Sequence, residues 1–453
     1  MSTKFKILNP LRRMSIPKPN ASILLFVAAI LAVCIANSPW NDWYQELLNY
    51  PIEVKVLGFE LFAHHGHTMT LAAFVNDFLM AFFFFNIGLE IKQEMAVGEL
   101  SSIKKSILPV IAAFGGMIMP VLCFFAIMHE GPGAGGAAIP MATDIAFALA
   151  LIGALGNRVP AALRIFIMAL AVVDDIGGII VIATFYSSGV TWVPLMIAFA
   201  VLALIAFCGK SGVDHPGFYM LLFFVVWQLF LLSGIHTTIA GVLVALCVPM
   251  TTKVRIDNLQ LALREQFASF TENHKEGKGA LVLSHEQLQL TSGLRNTLSR
   301  SVSPVQTIEH MLSPIVSYFI LPVFAFVNSG VSFADISSDG LMGVPLAIFL
   351  GLFVGKTVGI SLFTWAAIKL GISPWPTGMN LRRLLPLSVF GGIGFTVSLF
   401  IASLSYGAGH EDLLNQAKLG IFAGTIASGL VGYLWLNAVL GKKELSEPAS
   451  EQD

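Results

Sequence analysis

Long stretches of this chain run without a single charge, among them Ala21–Asn37, Ser106–Met128 and Val190–Cys208. Runs of this kind approach or exceed the roughly 20 residues that a helix needs to cross the hydrocarbon core of a bilayer. The composition agrees. Of the 453 residues, 56% are apolar and 12% are charged, whereas soluble domains carry roughly 25% charged residues. Lys and Arg number 26 against 27 Asp and Glu, so no global field points toward nucleic acid or another polyanion. The chain reads as an integral membrane protein.

The hydropathy pattern predicts an all-α protein with twelve membrane helices. These are I 21–37, II 69–92, III 105–128, IV 136–155, V 160–186 and VI 191–208, then VII 217–233, VIII 235–250, IX 304–328, X 341–369, XI 384–405 and XII 416–440. A twelve-helix membrane domain then occupies 21–440, between a cytoplasmic N-terminus (1–20) and a cytoplasmic tail (441–453). The basic residues Lys4, Lys6, Arg12, Arg13 and Lys18 precede an apolar run that is long for a signal-peptide core and has many spans after it. An uncleaved first helix is the better reading. The loops on the inner side hold Lys92, Lys104, Lys105, Arg158, Lys210, Lys369, Arg382 and Arg383, whereas the outer loops hold Lys55, with Lys418 near the start of XII. That asymmetry fits the positive-inside rule with both termini cytoplasmic. The four cysteines lie in apolar runs without C-x-x-C spacing and read as small buried hydrophobes.

Two segments stand outside this pattern. Glu53–Ala63 alternates and is rich in Val, Leu and Phe, which predicts an external β-hairpin over about 53–63 with Gly58 at its turn. Such a hairpin cannot bury both faces alone and is a candidate for pairing with a second subunit. Residues 251–302 form a polar cytoplasmic insertion, with a short amphipathic helix expected around Asn258–Phe267 and a cap at Ser284-x-x-Gln287. It reads as a tolerated or regulatory loop outside the membrane-spanning core.

Ionisable groups at bilayer depth cost about 2.5–3.5 kcal/mol each even on a lenient insertion scale, so each is a functional hypothesis. Asp174 lies ten residues past Arg164 and twelve before Tyr186, near midspan of V. Asp144 and Lys356 fall at comparable depth in IV and X. Adjacent carboxylates at Asp174 and Asp175 are hard to rationalise as structure alone, because desolvation and mutual repulsion both oppose their ionisation. The same physics lets protons and a hard cation compete for them, and oxygen ligands select alkali or alkaline-earth ions over soft metals. Lys356 is too far from either helix end to snorkel and needs a counter-charge, for which the aspartates are the obvious partners.

Helices IV and XI carry breakers: Pro140 before Thr143-Asp144 in IV, and Gly391-Gly392-Ile393-Gly394 in XI. Both should open near midspan. In the assigned topology III–V and X–XII run in opposite directions, as an inverted repeat requires, and matched breaks in two such halves point to an ion site. Crossing half-helices would bring like dipole ends together. Asp144 would offset the positive ends and Lys356 the negative ends. Glycines for close helix packing remain an alternative for XI. Glu90, Lys92 and Glu94 end helix II, and Glu309 and His310 open helix IX; counting alone favours an ordinary interfacial ion cluster. Asp77 and His236 are ambiguous, His236 being either a hydrogen-bonded packing residue or a titrating one.

Several segments together resemble the NhaA sodium/proton antiporter family over about residues 20–440, the insertion excepted. They are Phe85-Asn86-Ile87-Gly88-Leu89-Glu90-Ile91-Lys92, Ala142-Thr143-Asp144-Ile145-Ala146-Phe147, Ala171-Val172-Val173-Asp174-Asp175, Leu321-Pro322-Val323-Phe324-Ala325-Phe326-Val327-Asn328, Gly355-Lys356 and Gly392-Ile393-Gly394-Phe395-Thr396. The resemblance implies Asp175 as principal sodium ligand, Asp174 as its partner paired with Lys356, and Thr143 and Asp144 at the helix crossing. It implies Glu90 and Glu309 in a cytoplasmic pH-sensing cluster, which reverses the preference from counting, and His236 in the pH response. It further implies electrogenic exchange of Na+ or Li+ for H+ by alternating access in a bacterial inner membrane, no cofactor, and a homodimer through the external hairpin. Against it stand an intramembrane aspartyl protease, disfavoured because adjacent residues point about 100° apart on a helix, a related cation- or organic-anion-coupled symporter, and a channel.

Overall fold

The structure is a computed structural model. It describes residues 21–53, 55–56, 59–60, 63–64, 67–186, 189–252, 259, 285–332, 341–376, 378–407 and 409–440. The N-terminal segment 1–20, the turn at Gly58, most of the insertion including Asn258–Phe267 except 259, Ser284, and the tail 441–453 lie outside these residues.

The described chain is almost entirely helical, as hydrocarbon demands of a backbone whose polar groups must bond internally. Eight helices are long and apolar enough to cross a membrane, or up to eleven if each of three bent pairs is one span. Thr237–Cys247 is apolar but shorter. The bent pairs are Ala21–Ala36 with Asn41–Leu48 (118°), Pro132–Met141 with Ile145–Ala154 (45°), and Leu381–Phe390 with Phe395–Tyr406 (49°).

The chain divides into two units. The first comprises Met1–Leu48, Ile111–Asp174 and Ser317–Asp453. In it Ala21–Ala36 lies along Leu321–Asn328, and the long helix Glu411–Leu440 packs on Val344–Leu350 and Leu381–Phe390. Tyr44 locks one end: it is fully buried, and its hydroxyl donates to the carbonyls of Phe326 (2.6 Å) and Val327 (3.2 Å). Gly115 and Gly359 bring two helices into backbone contact, since a Cβ on Gly115 would overlap the carbonyl of Gly359.

The second unit comprises Asn49–Val110 and Asp175–Val316. Its core is aromatic, with Phe85 stacked on Phe223 at 4.8 Å and Phe78 edge-on to Trp227 at 4.8 Å. Strand Lys55–Val56 pairs antiparallel with Phe59–Glu60, in the register Lys55↔Glu60. Strand pairing also reaches beyond 53–63, because His67–Thr70 pairs with both Pro51–Ile52 and Ala63–His64. A helix, His285–Ser301, follows directly on the segment where the Ser284 cap was expected.

The four cysteines are unpaired. Cys34 is exposed and the other three are half-buried, which corrects the expectation of burial. Periodicity places a residue on a helix face but does not say whether that face meets protein or lipid.

Candidate ion site at two helix breaks

The site is built where two helices stop. Pro140 sits one residue before the end of helix Pro132–Met141, and Ala142, Thr143 and Asp144 follow in non-helical conformation before helix Ile145–Ala154 begins. In the other bent pair, Leu381–Phe390 ends at Gly391, and Phe395–Tyr406 starts after Gly394. Gly392 has to be glycine, because a Cβ there would overlap the carbonyl of Leu352 and the hydroxyl of Ser428.

The two breaks are stitched together. The Asp144 N–H donates to the carbonyl of Ile393 (2.6 Å), and the Ser398 hydroxyl donates to the carbonyl of Ile139 (2.8 Å). The Asp144 carboxylate serves two helix N-termini at once. Its Oδ1 accepts from the Phe147 N–H (3.0 Å), capping Ile145–Ala154. Its Oδ2 accepts from the Thr396 N–H (3.2 Å) and hydroxyl (2.7 Å) in the first turn of Phe395–Tyr406. Orphan N–H groups and the dipole both favour an anion there.

Lys356 reaches the same place from a third helix. Its Nζ is fully buried, forms an ion pair with Asp174 Oδ2, and donates to the Thr143 hydroxyl (2.9 Å). A π-helical turn, Gly351–Gly355, immediately precedes it. That wider turn shifts the residues after it around the helix relative to unbroken α spacing. Thr143 is the hub of the group. Its hydroxyl oxygen lies 2.7 Å from Asp174 Oδ2 and 2.9 Å from the carbonyl of Gly391. One hydroxyl carries one proton, so donation to either acceptor is at the expense of the other. Lys356 therefore reaches the carbonyl end of Leu381–Phe390 through Thr143. Asp175 follows Asp174 on helix Ala161–Phe185 and is also buried.

The remaining candidates belong to the second unit. Glu90 is half-buried within electrostatic range of Glu309 and Glu94. Lys92 donates to the carbonyls of Leu246 (2.7 Å) and Val248, satisfying the end of helix Thr237–Cys247. His236 occupies the N-cap position of that helix. Asp77 lies in a π-helical turn, Val75–Leu79, and its carbonyl accepts from Trp227 Nε1 (3.3 Å) and the Thr237 hydroxyl (3.0 Å). Sequence reasoning assigned no role to Thr396. The signal was available: a hydroxyl residue directly after a glycine-rich break, in the first turn of the next half-helix.

A buried Lys–Asp pair beside two stitched helix breaks, inside a many-span apolar chain, defines a secondary membrane transporter and not an enzyme. The family follows from comparison. The model of the family "Na+/H+ antiporter 1" matches residues 13–436, and the chain belongs to that family. A Porphyromonas gingivalis (strain W83) protein named Na(+)/H(+) antiporter NhaA is 52% identical over 438 residues, covering 96% of this chain and 97% of that protein. A protein of the same name from Parabacteroides distasonis is 53% identical over 444 residues (97% and 98%). Another from Escherichia coli O139:H28 is 39% identical over 424 residues (93% and 96%).

Proposed function

We propose that this protein is an electrogenic antiporter that extrudes Na+, and also Li+, in exchange for protons across the bacterial inner membrane, serving pH and sodium homeostasis. The observation that carries the reading is the Asp174–Lys356–Thr143 cluster, buried and bonded at the stitched breaks. The names of the relatives support the choice of ion.

In the proposed cycle Asp174 and Asp175 form one site, taken alternately by protons and a single cation. With the site empty, Lys356 neutralises Asp174. Na+ entering the carboxylates displaces the ammonium and releases protons. Moving more than one proton in for each Na+ out makes the exchange electrogenic, so the membrane potential drives sodium out. Asp144 holds the crossing together while access alternates between the two sides. Glu90, Glu309 and His236 are proposed to set the pH at which exchange begins.

The same proposal includes twelve spans, with Thr237–Cys247 supplying the one beyond the eleven, and cytoplasmic termini. It places III–V and X–XII as inverted repeats and the hairpin at 53–63 as the dimer contact within a lipid bilayer.

Reconstituted vesicles with a pH-sensitive dye inside test the reading. Added Na+ or Li+ should dissipate an imposed pH gradient, and the response should change with membrane potential. A preparation that ignores both ions would reject it.

A further inference from the structure

The two carboxylate oxygens of Asp174 have different surroundings. Oδ2 is engaged by Lys356 and Thr143. Oδ1 is buried and has no hydrogen-bond partner among the described residues, which is unusual for a carboxylate oxygen inside a protein. Facing it is Gly116 on helix Ile103–Phe125. A Cβ built on Gly116 would lie 3.7 Å from Oδ1, and 3.0 and 3.5 Å from Cγ1 and Cδ1 of Ile360.

The neighbouring glycine has a different reason to be one. Gly115 is needed for the backbone approach to Gly359. The three atoms nearest a Cβ on Gly116 all belong to side chains, two of them to Ile360, which would have to give way by a few tenths of an ångström, and the third to Asp174. The missing side chain makes room for Ile360 and also leaves the near side of Asp174 Oδ1 uncovered.

Resting on the exchange reading, we infer that Gly116 is a specificity-determining position for the transported cation. A hard cation binding at Oδ1 needs further oxygen ligands around it, and cavity size and ligand number decide which ion is accepted. Glycine leaves the side of Oδ1 toward helix Ile103–Phe125 open to those ligands. A methyl group at 116 touches Oδ1 at van der Waals distance, offers no oxygen, and takes the place of one ligand. Li+, smaller and satisfied by fewer ligands, loses less than Na+.

The test compares Gly116→Ala with the parent, both full-length in vesicles, titrating Na+ and Li+ on the same preparations. The apparent KM for Na+ should rise about tenfold, the scale of a one-methyl mismatch in a pocket. The KM for Li+ should move far less, with the maximal rate largely kept. A general loss of folded protein lowers the rate for both ions and leaves their KM ratio alone. If the alanine does not reach the membrane, Gly116→Ala/Ile360→Ala, which removes both Cγ1 and Cδ1 beside position 116, gives the same readout. An unchanged Na+/Li+ KM ratio in the variant, with the parent exchanging both ions, overturns this inference alone. A parent protein silent to both ions overturns the exchange reading with it.

Discussion

Replacing Thr396 with valine removes one oxygen from the junction of the two helix breaks and changes its volume little. What is lost is the 2.7 Å bond from the Thr396 hydroxyl to Asp144 Oδ2, while the Thr396 N–H keeps its 3.2 Å bond to the same oxygen. A hydrogen bond to a charged acceptor contributes about 1.5–3 kcal/mol, or roughly 10- to 150-fold in an equilibrium constant. Large proteins commonly unfold irreversibly, so the appropriate measure is the rate of heat inactivation in detergent. Thr396→Val should accelerate it by about tenfold or more if the bond is absent from the transition state. The partner is tested by repeating the substitution in an Asp144→Asn background. There the acceptor is neutral, and the cost should drop to about 0.5–1.5 kcal/mol. An equal acceleration in both backgrounds would mean that the hydroxyl does not act through the Asp144 charge, and the pairing of Thr396 with Asp144 would be rejected.

Three further outcomes follow from the same geometry. Lys356→Met leaves Asp174 buried without its cation, and losing one partner of a buried pair costs about 3–5 kcal/mol; Lys356→Arg should recover part of that thermal stability, and a methionine variant as stable as the parent would reject the pairing. If protons and Na+ compete for one pair of carboxylates, the apparent KM for Na+ should rise as pH falls, by up to about tenfold per unit for each proton displaced; a KM flat across the acid range would contradict competition. Tyr44→Phe should lower stability by about 0.5–1.5 kcal/mol through the lost bonds to Phe326 and Val327, with the Na+ response intact; a loss of transport at unchanged stability would show that Tyr44 does more than anchor.

Much of this is legible in the sequence. Charge-free runs set the class of protein, and the midspan positions of Asp144, Asp174 and Lys356 marked them as groups that need a reason to be buried. Pro140 and the glycines at 391, 392 and 394 lie at the bends of the two pairs. The motifs around Asp174–Asp175 and Gly392–Thr396 named the same family that the comparisons identify. What stayed hidden was which atoms meet. Asp144 and Thr396 are 252 positions apart, and hydropathy along a helix says which face is apolar but not which distant N–H a carboxylate will cap. The π-helical turn before Lys356 leaves no compositional mark. Nothing in the sequence sets Gly116 apart within its apolar span, because its approach to Asp174 Oδ1 is a product of the fold. The strands from Pro51 to Thr70 extended past the predicted hairpin because alternation is weak in His67–Thr70.

The central claim is that one carboxylate pair carries both the cation and the protons. It is tested most directly with Asp175→Asn and Asp174→Asn, each in vesicles with the pH-sensitive dye, after confirming that the variants are as folded as the parent. Asp175→Asn should abolish the response to Na+ and Li+, and Asp174→Asn should abolish or severely impair it. If both variants dissipate the pH gradient like the parent protein, the cation and its protons bind elsewhere.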